Sequence, residues 1–307
     1  MILERDQIVE AMDYIQADPN YSFECTQIAI TGPDRCAILF EISDPDHEIR
    51  VCVIFDVEGF DPAKARPIMV TDLWMYSLSA TSMEDLSALE VGRDIWRGGP
   101  DNWARTQAAD WFNNQVWCFD PATTFLIGAH GQASRFDGTT YTPIKPAADA
   151  LLFDIHGLRS DHIYCVGASG TLLRLDGDGW ERIDLYSNQR LRGVDATRPE
   201  LLRVCGDNGV CLEVRNQTEI VPITAPGSYF FTVREWREEV YWGDSWHGVY
   251  RQRGTDLEEF HESGMAYDFR CDENFLYSVG TDMAWRFDGD DWKALRLNYA
   301  DGVFSLV

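Results

Sequence analysis

Three aspartates recur in comparable apolar runs, Asp154 in LLFDIHG, Asp195 in RGVDAT and Asp268 in AYDFR. Carboxylates gathered toward one axis repel one another, which raises their pKa values and favours a compensating cation. The chemistry implied is an acidic funnel that receives a basic group. A second group is aromatic: Trp236, Trp242 and Trp246, followed by His247, crowd one short stretch that also holds Tyr241. Aromatic anchors set among acids suit a protein or sugar contact surface. Trp74 with Tyr76, and Trp111 with Trp117, form smaller clusters of the same kind. The candidate binding residues are therefore Asp154, Asp195, Asp268, Trp236, Trp242, Trp246 and His247.

Other chemistry finds little support. The six histidines (His47, His130, His156, His162, His247, His261) are scattered, and no two stand at the i, i+4 spacing of a helical metal pair. Asp44-Pro45-Asp46-His47-Glu48 alternates carboxylates as a calcium loop does, yet lacks the sharp-turn glycine and the terminal bidentate glutamate. It reads as a solvated hairpin tip. Eight cysteines include no C-x-x-C pair, and several lie in strand-like runs, so they read as reduced core residues. No G-x-S-x-G, P-loop, dinucleotide fingerprint or H-E-x-x-H is present. The expectation is a non-catalytic chain with no metal and no cofactor.

Charge narrows the partners. Acids outnumber bases 51 to 26 in 307 residues, a formal charge of -25. Affinity for a phosphate backbone comes from Lys and Arg, so nucleic acid is excluded as an expected partner and a basic protein is favoured. The N-terminal MILERDQIVEAMDYIQ holds no apolar stretch of signal-peptide length, and no window approaches the roughly 20 apolar residues of a membrane span. A cytoplasmic protein with no membrane partner is expected.

The elements that must position these residues are set by an internal repeat. Glycines at 92, 128, 167, 206, 243 and 280 recur at spacings of 36, 39, 39, 37 and 37. IYCVGASGTLLRLDGDGW, LYSVGTDMAWRFDGDDW and FLIGAHGQASRFDGTTY show the unit most clearly. Each unit reads as four short antiparallel strands, with Asp-Gly predicting a tight hairpin between the third and fourth. Arg135, Arg174, Arg251 and Arg286 recur on the third strand and are expected to pair with acids of neighbouring units. A regular period of this length marks a repeat architecture, and four-stranded units that cannot bury both faces alone stack radially.

The motif V-G-x-x-G…R-x-D-G-x-x-W resembles the blades of bacterial β-propellers, similar to photosystem assembly-factor-like and WD-repeat-like propellers, from Leu78 to Leu297. Radial stacking of these units, with the N-terminal hairpin as a further, divergent blade, predicts an all-β propeller of seven four-stranded blades, with six as the alternative. Such blades serve many roles, so the motif itself names no activity. The expected layout is an N-terminal helix and lead-in over 1–20, then one propeller domain over 21–307. Within it come divergent first blades (21–77), clear repeats (78–299) and a closing strand (302–307). Ile8, Met12 and Ile15 stand at helical spacing, and CAILFEI with IRVCVIF read as a hairpin of the first blade. The terminal DGVFSLV is expected to complete that N-terminal blade and so close the ring, removing two exposed edges. Functionally, the leading expectation is a protein-binding propeller for a basic partner, in one form an immunity or inhibitor protein against a cationic toxin or nuclease. A glycan-binding or glycan-active propeller and a general assembly scaffold are the alternatives. A glycosidase would need two carboxyl groups within about 5 to 9.5 Å of each other.

Overall fold

A computed structural model describes residues 2–307 apart from Ser160, Asp161 and Ser228. Seven antiparallel sheets follow one another, spanning 22–71, 75–107, 113–144, 152–183, 191–222, 230–262 and 268–306. Each has four strands hydrogen-bonded in sequence order, and the last has five. The chain is an all-β propeller of seven blades with one N-terminal helix, Arg5–Gln16. Its residues fall into two compact units, Met1–Thr106 with Arg270–Val307, and Gln107–Phe269.

In the first unit the helix buries Met12 and Ile15 in the cluster formed by Phe40, Phe55, Tyr277 and Leu295. The inner strands of blade 1, Arg35–Ser43 and Arg50–Glu58, are buried along almost their whole length, which is why they read as apolar runs without alternation. Blade 1 meets blade 7 directly, the Cys25 amide donating to the Thr281 carbonyl at 2.7 Å. The C-terminal strand differs from its expected place. Val303–Leu306 pairs with Trp292–Ala300 as the fifth strand of blade 7, and blade 1 draws all four of its strands from residues 22–71. The reason lies in packing: Phe304 and Leu306 are buried in the cluster beneath the helix, so the terminal strand serves the core of this unit.

In the second unit the recurrent glycine has a steric cause. A Cβ on Gly128, Gly167 or Gly206 would stand 2.0, 2.5 or 2.0 Å from the carbonyl oxygen of Phe112, Leu151 or Arg190. Each of these carbonyls precedes the first strand of the same blade and accepts the amide that follows the glycine. Close backbone approach therefore fixes these glycines; Gly128 and Gly206 are fully extended. Of the Asp-Gly hairpins, that of blade 4 is the tight two-residue turn expected, Asp176 pairing with Gly179, whereas those of blades 3 and 7 are longer. The Asp137 and Asp288 carboxylates each accept two downstream amides, holding the turn as an Asx motif, and only the glycine takes a positive φ. These backbone hydrogen bonds hold both carboxyls below their usual range.

The third-strand arginines divide. Arg286 reaches Asp34 of blade 1, as expected of an inter-blade pair. Arg174 and Arg251 instead pair with Glu181 and Glu258 directly opposite on the fourth strand of their own blades. Cross-strand neighbours on one sheet face are the shortest route to an ion pair.

Candidate functional site

The first strand of each blade is a sheet edge, with outward amides and carbonyls left over by the ladder. In the second unit, side chains from neighbouring blades supply those partners. Asp154 lies on Leu152–Arg159, the first strand of blade 4, and its Oδ2 accepts the Val194 amide of blade 5 at 2.9 Å. Two residues on, His156 Nδ1 accepts the Ala196 amide at 3.0 Å, which leaves the proton of a neutral imidazole on Nε2. The two-residue step matches the period at which a strand presents its outward groups.

Asp195, fully buried on Leu191–Arg198, repeats the device toward blade 6, its Oδ2 accepting the Glu235 amide at 3.1 Å. In return Arg234 Nη1 donates to the Val194 carbonyl at 2.6 Å and stands 3.9 Å from Asp195. Arg203, almost fully buried, lies 3.4 Å from Asp195, 3.6 Å from Glu213 and 2.8 Å from Glu235. Burial pushes the Asp195 carboxyl up, against the pull of Arg234 and Arg203. Burial also acts on Glu235 and Glu213, but there the arginines win: Arg198 and Arg203 hold Glu235 down, and Arg215 and Arg203, with Gln252, hold Glu213 down.

Asp154 and Asp195 are thus linked through one network, with carboxylates spent on backbone amides and arginines in place of an open funnel. Asp268 opens the strand Asp268–Cys271 and is buried as well. The aromatic candidates separate. Trp242 is fully buried, its Nε1 donating to Gln252 at 3.1 Å, and Trp236 is buried beneath the Arg237 guanidinium. Core packing explains both. Trp246 is 70% exposed, and His247 beside it is exposed too.

Trp246 stands at a turn position that is exposed in blades 3 to 6, on a turn whose hold differs in blade 6. Blades 3, 4 and 5 turn from second to third strand through Ala129–Gly131, Ala168–Gly170 and Asp207–Gly209, with His130, Ser169 and Asn208 in the left-handed region. In blade 6 the pairing sets Phe230 opposite Asp244, where blades 4 and 5 set Leu152 opposite Gly167 and Leu191 opposite Gly206. Asp244, not Gly243, therefore holds the repeat position, one residue from where the sequence period put it. The turn keeps its length, Gly243 pairing with Val249 across it as Val166 pairs with Leu172 and Cys205 with Cys211, but the fully buried Asp244 carboxylate now holds it, taking the Trp246 and His247 amides at 2.7 and 2.6 Å.

Three exposed aromatics of the same unit escape a motif search: Phe112, Tyr186 and Tyr229. Phe112 and Tyr229 occupy one repeat position, the residue before the first strand whose carbonyl accepts an amide from the neighbouring turn. Trp74 holds that position in the first unit, its carbonyl accepting the Val91 amide, and is exposed there. Aligning the repeats on the strand start, and not on the glycine, exposes this signal.

Fold and site together define a propeller whose charged inner edges are structurally committed and whose aromatic surplus lies at strand-end loops. No protein-family model matches the sequence, and no curated protein is significantly similar to it. Among solved structures it is similar to the WD40 β-propeller domain of Doa1, with a TM-score of 0.67 at 9% identity over 86% of this chain and 95% of that one. It is also similar to YCF48 bound to D1 peptide, with a TM-score of 0.66 at 10% identity over 88% and 93% of the two chains. Sqt1 of Saccharomyces cerevisiae gives 0.65 at 9% identity over 94% and 96%. At such identities the likeness defines the fold. Among the described residues no helix is long and apolar enough to cross a membrane.

Proposed function

We propose that this propeller is a non-catalytic binding protein that recognises a basic protein partner. The observation that carries the reading is the fate of its charges. Arginines such as Arg35, Arg97, Arg198, Arg203, Arg215 and Arg253 are spent on carboxylates of the chain itself, while the acidic excess remains at a net -25. A surface of that sign speeds encounter with a cationic partner and repels nucleic acid. Neutralising a cationic toxin or nuclease domain in the cytoplasm is one form such a role takes. Similarity to a propeller solved with a bound peptide supports protein recognition over a glycan role.

The test is capture of proteins from a native lysate on the immobilised chain, elution by a salt gradient and measurement of their isoelectric points. Retained proteins are expected to be strongly basic and to associate more slowly as salt rises, because the field is screened within about 8 Å at physiological ionic strength. A retained set of neutral or acidic proteins, or binding indifferent to salt, overturns the reading.

A further inference from the structure

The strand-end loops of the second unit lie at one end of its blades, bonded within each blade and, from blade 3 to blade 5, from one blade to the next. Turns between second and third strands are hydrogen-bonded to the loops that enter first strands: Gly131 to Ala150, Ala168 to Leu151, Gly170 to Gln189, Asp207 to Arg190 and Ser245 to Tyr229. At this end stand Phe112, Tyr186, Tyr229 and Trp246, exposed by 41, 88, 45 and 70%. Among the described residues of the unit, the remaining exposed large apolar side chain is Leu158, an aliphatic residue on a first strand. Scattered exposed apolar side chains are ordinary on a protein surface; four aromatics confined to one loop end are not.

Nothing in the fold requires them there. Leu151 and Arg190 fill the position of Phe112 and Tyr229 in blades 4 and 5 with the same backbone bond, so the blade tolerates other residues at it. Tyr186 takes a positive φ of 53°, a conformation disfavoured for a bulky residue. Trp246 stands where His130, Ser169 and Asn208 stand in blades 3, 4 and 5, so the turn does not require an aromatic there.

The charges at this end fix the sign of the occupant. Asp110, Asp149 and Asp184 are exposed on the same loops, Asp149 standing 2.8 Å from His130 Nδ1. The two arginines at the entry to blade 5 are already engaged: Arg192 is paired with Asp207 and lies over the Phe231 ring, and Arg190 lies over Phe153 and 3.8 Å from the same aspartate. Aromatic faces attract Lys and Arg through the ring quadrupole, and flanking carboxylates add to that attraction.

We infer that the loop end bearing Phe112, Tyr186, Tyr229 and Trp246 is a docking surface for an exposed Lys- and Arg-bearing segment of the partner, held by cation–π contacts with acidic flanks. The inference rests on the basic-partner reading and locates its site.

The test uses the full chain and a fluorescein-labelled decapeptide of alternating Lys and Gly, followed by anisotropy at low salt. The comparison variants are Tyr186→Ser/Tyr229→Ser/Trp246→Ser, the conservative Trp246→Phe, and a second peptide with norleucine in place of lysine. Wild type is expected to bind the lysine peptide. The triple variant should bind it at least tenfold more weakly with its circular dichroism unchanged, Trp246→Phe should retain most of the affinity, and the norleucine peptide should not bind. If wild type binds neither peptide, the basic-partner reading and this site both fall. Equal binding by wild type and the triple variant overturns the site while leaving that reading intact. Equal binding of lysine and norleucine peptides overturns the cationic occupant in favour of a plain apolar one. A concentration-dependent dimer in sedimentation that the triple variant abolishes assigns the surface to a second copy of the chain and overturns the proposal.

Discussion

The first-strand edges of blades 4 to 6 and the loop end of the same unit lie on the same repeats, yet they treat functional-looking residues in opposite ways. At the edges and on the second strand behind them, carboxylate, imidazole and guanidinium are consumed by neighbours: Asp154 and His156 by amides of blade 5, Asp195 by blade 6, Arg203 by three acids. At the loop end, Tyr186 and Trp246 keep most of their surface in solvent. The difference teaches that recurrence of a charged residue in a repeat points first to an edge that needs a partner. An exposed aromatic at a repeat position that other blades fill with small or polar residues points to a ligand.

The comparison breaks most readily at Arg203. Arg203→Met removes the cation shared by Asp195, Glu213 and Glu235, leaving the buried Asp195 and Glu213 and the partly buried Glu235 with Arg234, Arg215 and Arg198 alone. The expected loss is about 3–5 kcal/mol, read as a lower urea midpoint with an unchanged slope. A variant as stable as wild type would show that the network is ornamental.

Asp154→Ala tests the lighter member of the same region. It deprives the Val194 and Ile155 amides of their acceptor at a half-buried place that water can reach, so the expected cost is about 1 kcal/mol. Asp154→Asn, which keeps one carbonyl acceptor, should cost less than the alanine. A loss as large as that of Arg203→Met would mean that the edge bonds and not the ion network hold the blades.

Acid sharpens the contrast between members of the network. Glu213 and Glu235 have lowered folded pKa values, so their contribution is complete above the unfolded carboxylate range and is lost as pH falls through the folded values. Asp195 has a raised value and acts in the opposite sense: its contribution is complete below the unfolded value and is lost as pH rises through the folded one. Thermal melts from pH 6 to pH 3 should therefore show a decline below about pH 4.3, the unfolded glutamate value, that is shallower in Glu235→Gln. The same slope in both proteins would remove Glu235 from the account.

The smallest effect belongs to the loop end. Trp246→Ser and Tyr186→Ser should each change stability by no more than about 0.5 kcal/mol, as surface substitutions do. A loss above 2 kcal/mol in either would show that the aromatic packs in the core, and would reduce the contrast between the two regions to one of degree.

Much of the fold is legible in the residues. The glycine period, the apolar runs and the Asp-Gly turns carry the blade and its count, because strand alternation and close backbone approach act within one repeat. The helix over Arg5–Gln16 follows from the spacing of Ile8, Met12 and Ile15 in the same local way. Of the candidate site, Trp246 and His247 were visible as part of an aromatic cluster, but so were Trp236 and Trp242, which the core absorbs.

Residue pattern alone fixes the unit: four strands, their order and the glycine that lets them close. Tertiary structure decided everything that depends on a neighbour about forty residues away. It turned Asp154 and Asp195 from a funnel into edge partners, sent Val303–Leu306 to blade 7, and moved the repeat position of blade 6 from Gly243 to Asp244. The physical reason is that a side chain's burial and its hydrogen-bond partners are properties of adjacent blades, whereas pattern and spacing describe one blade at a time.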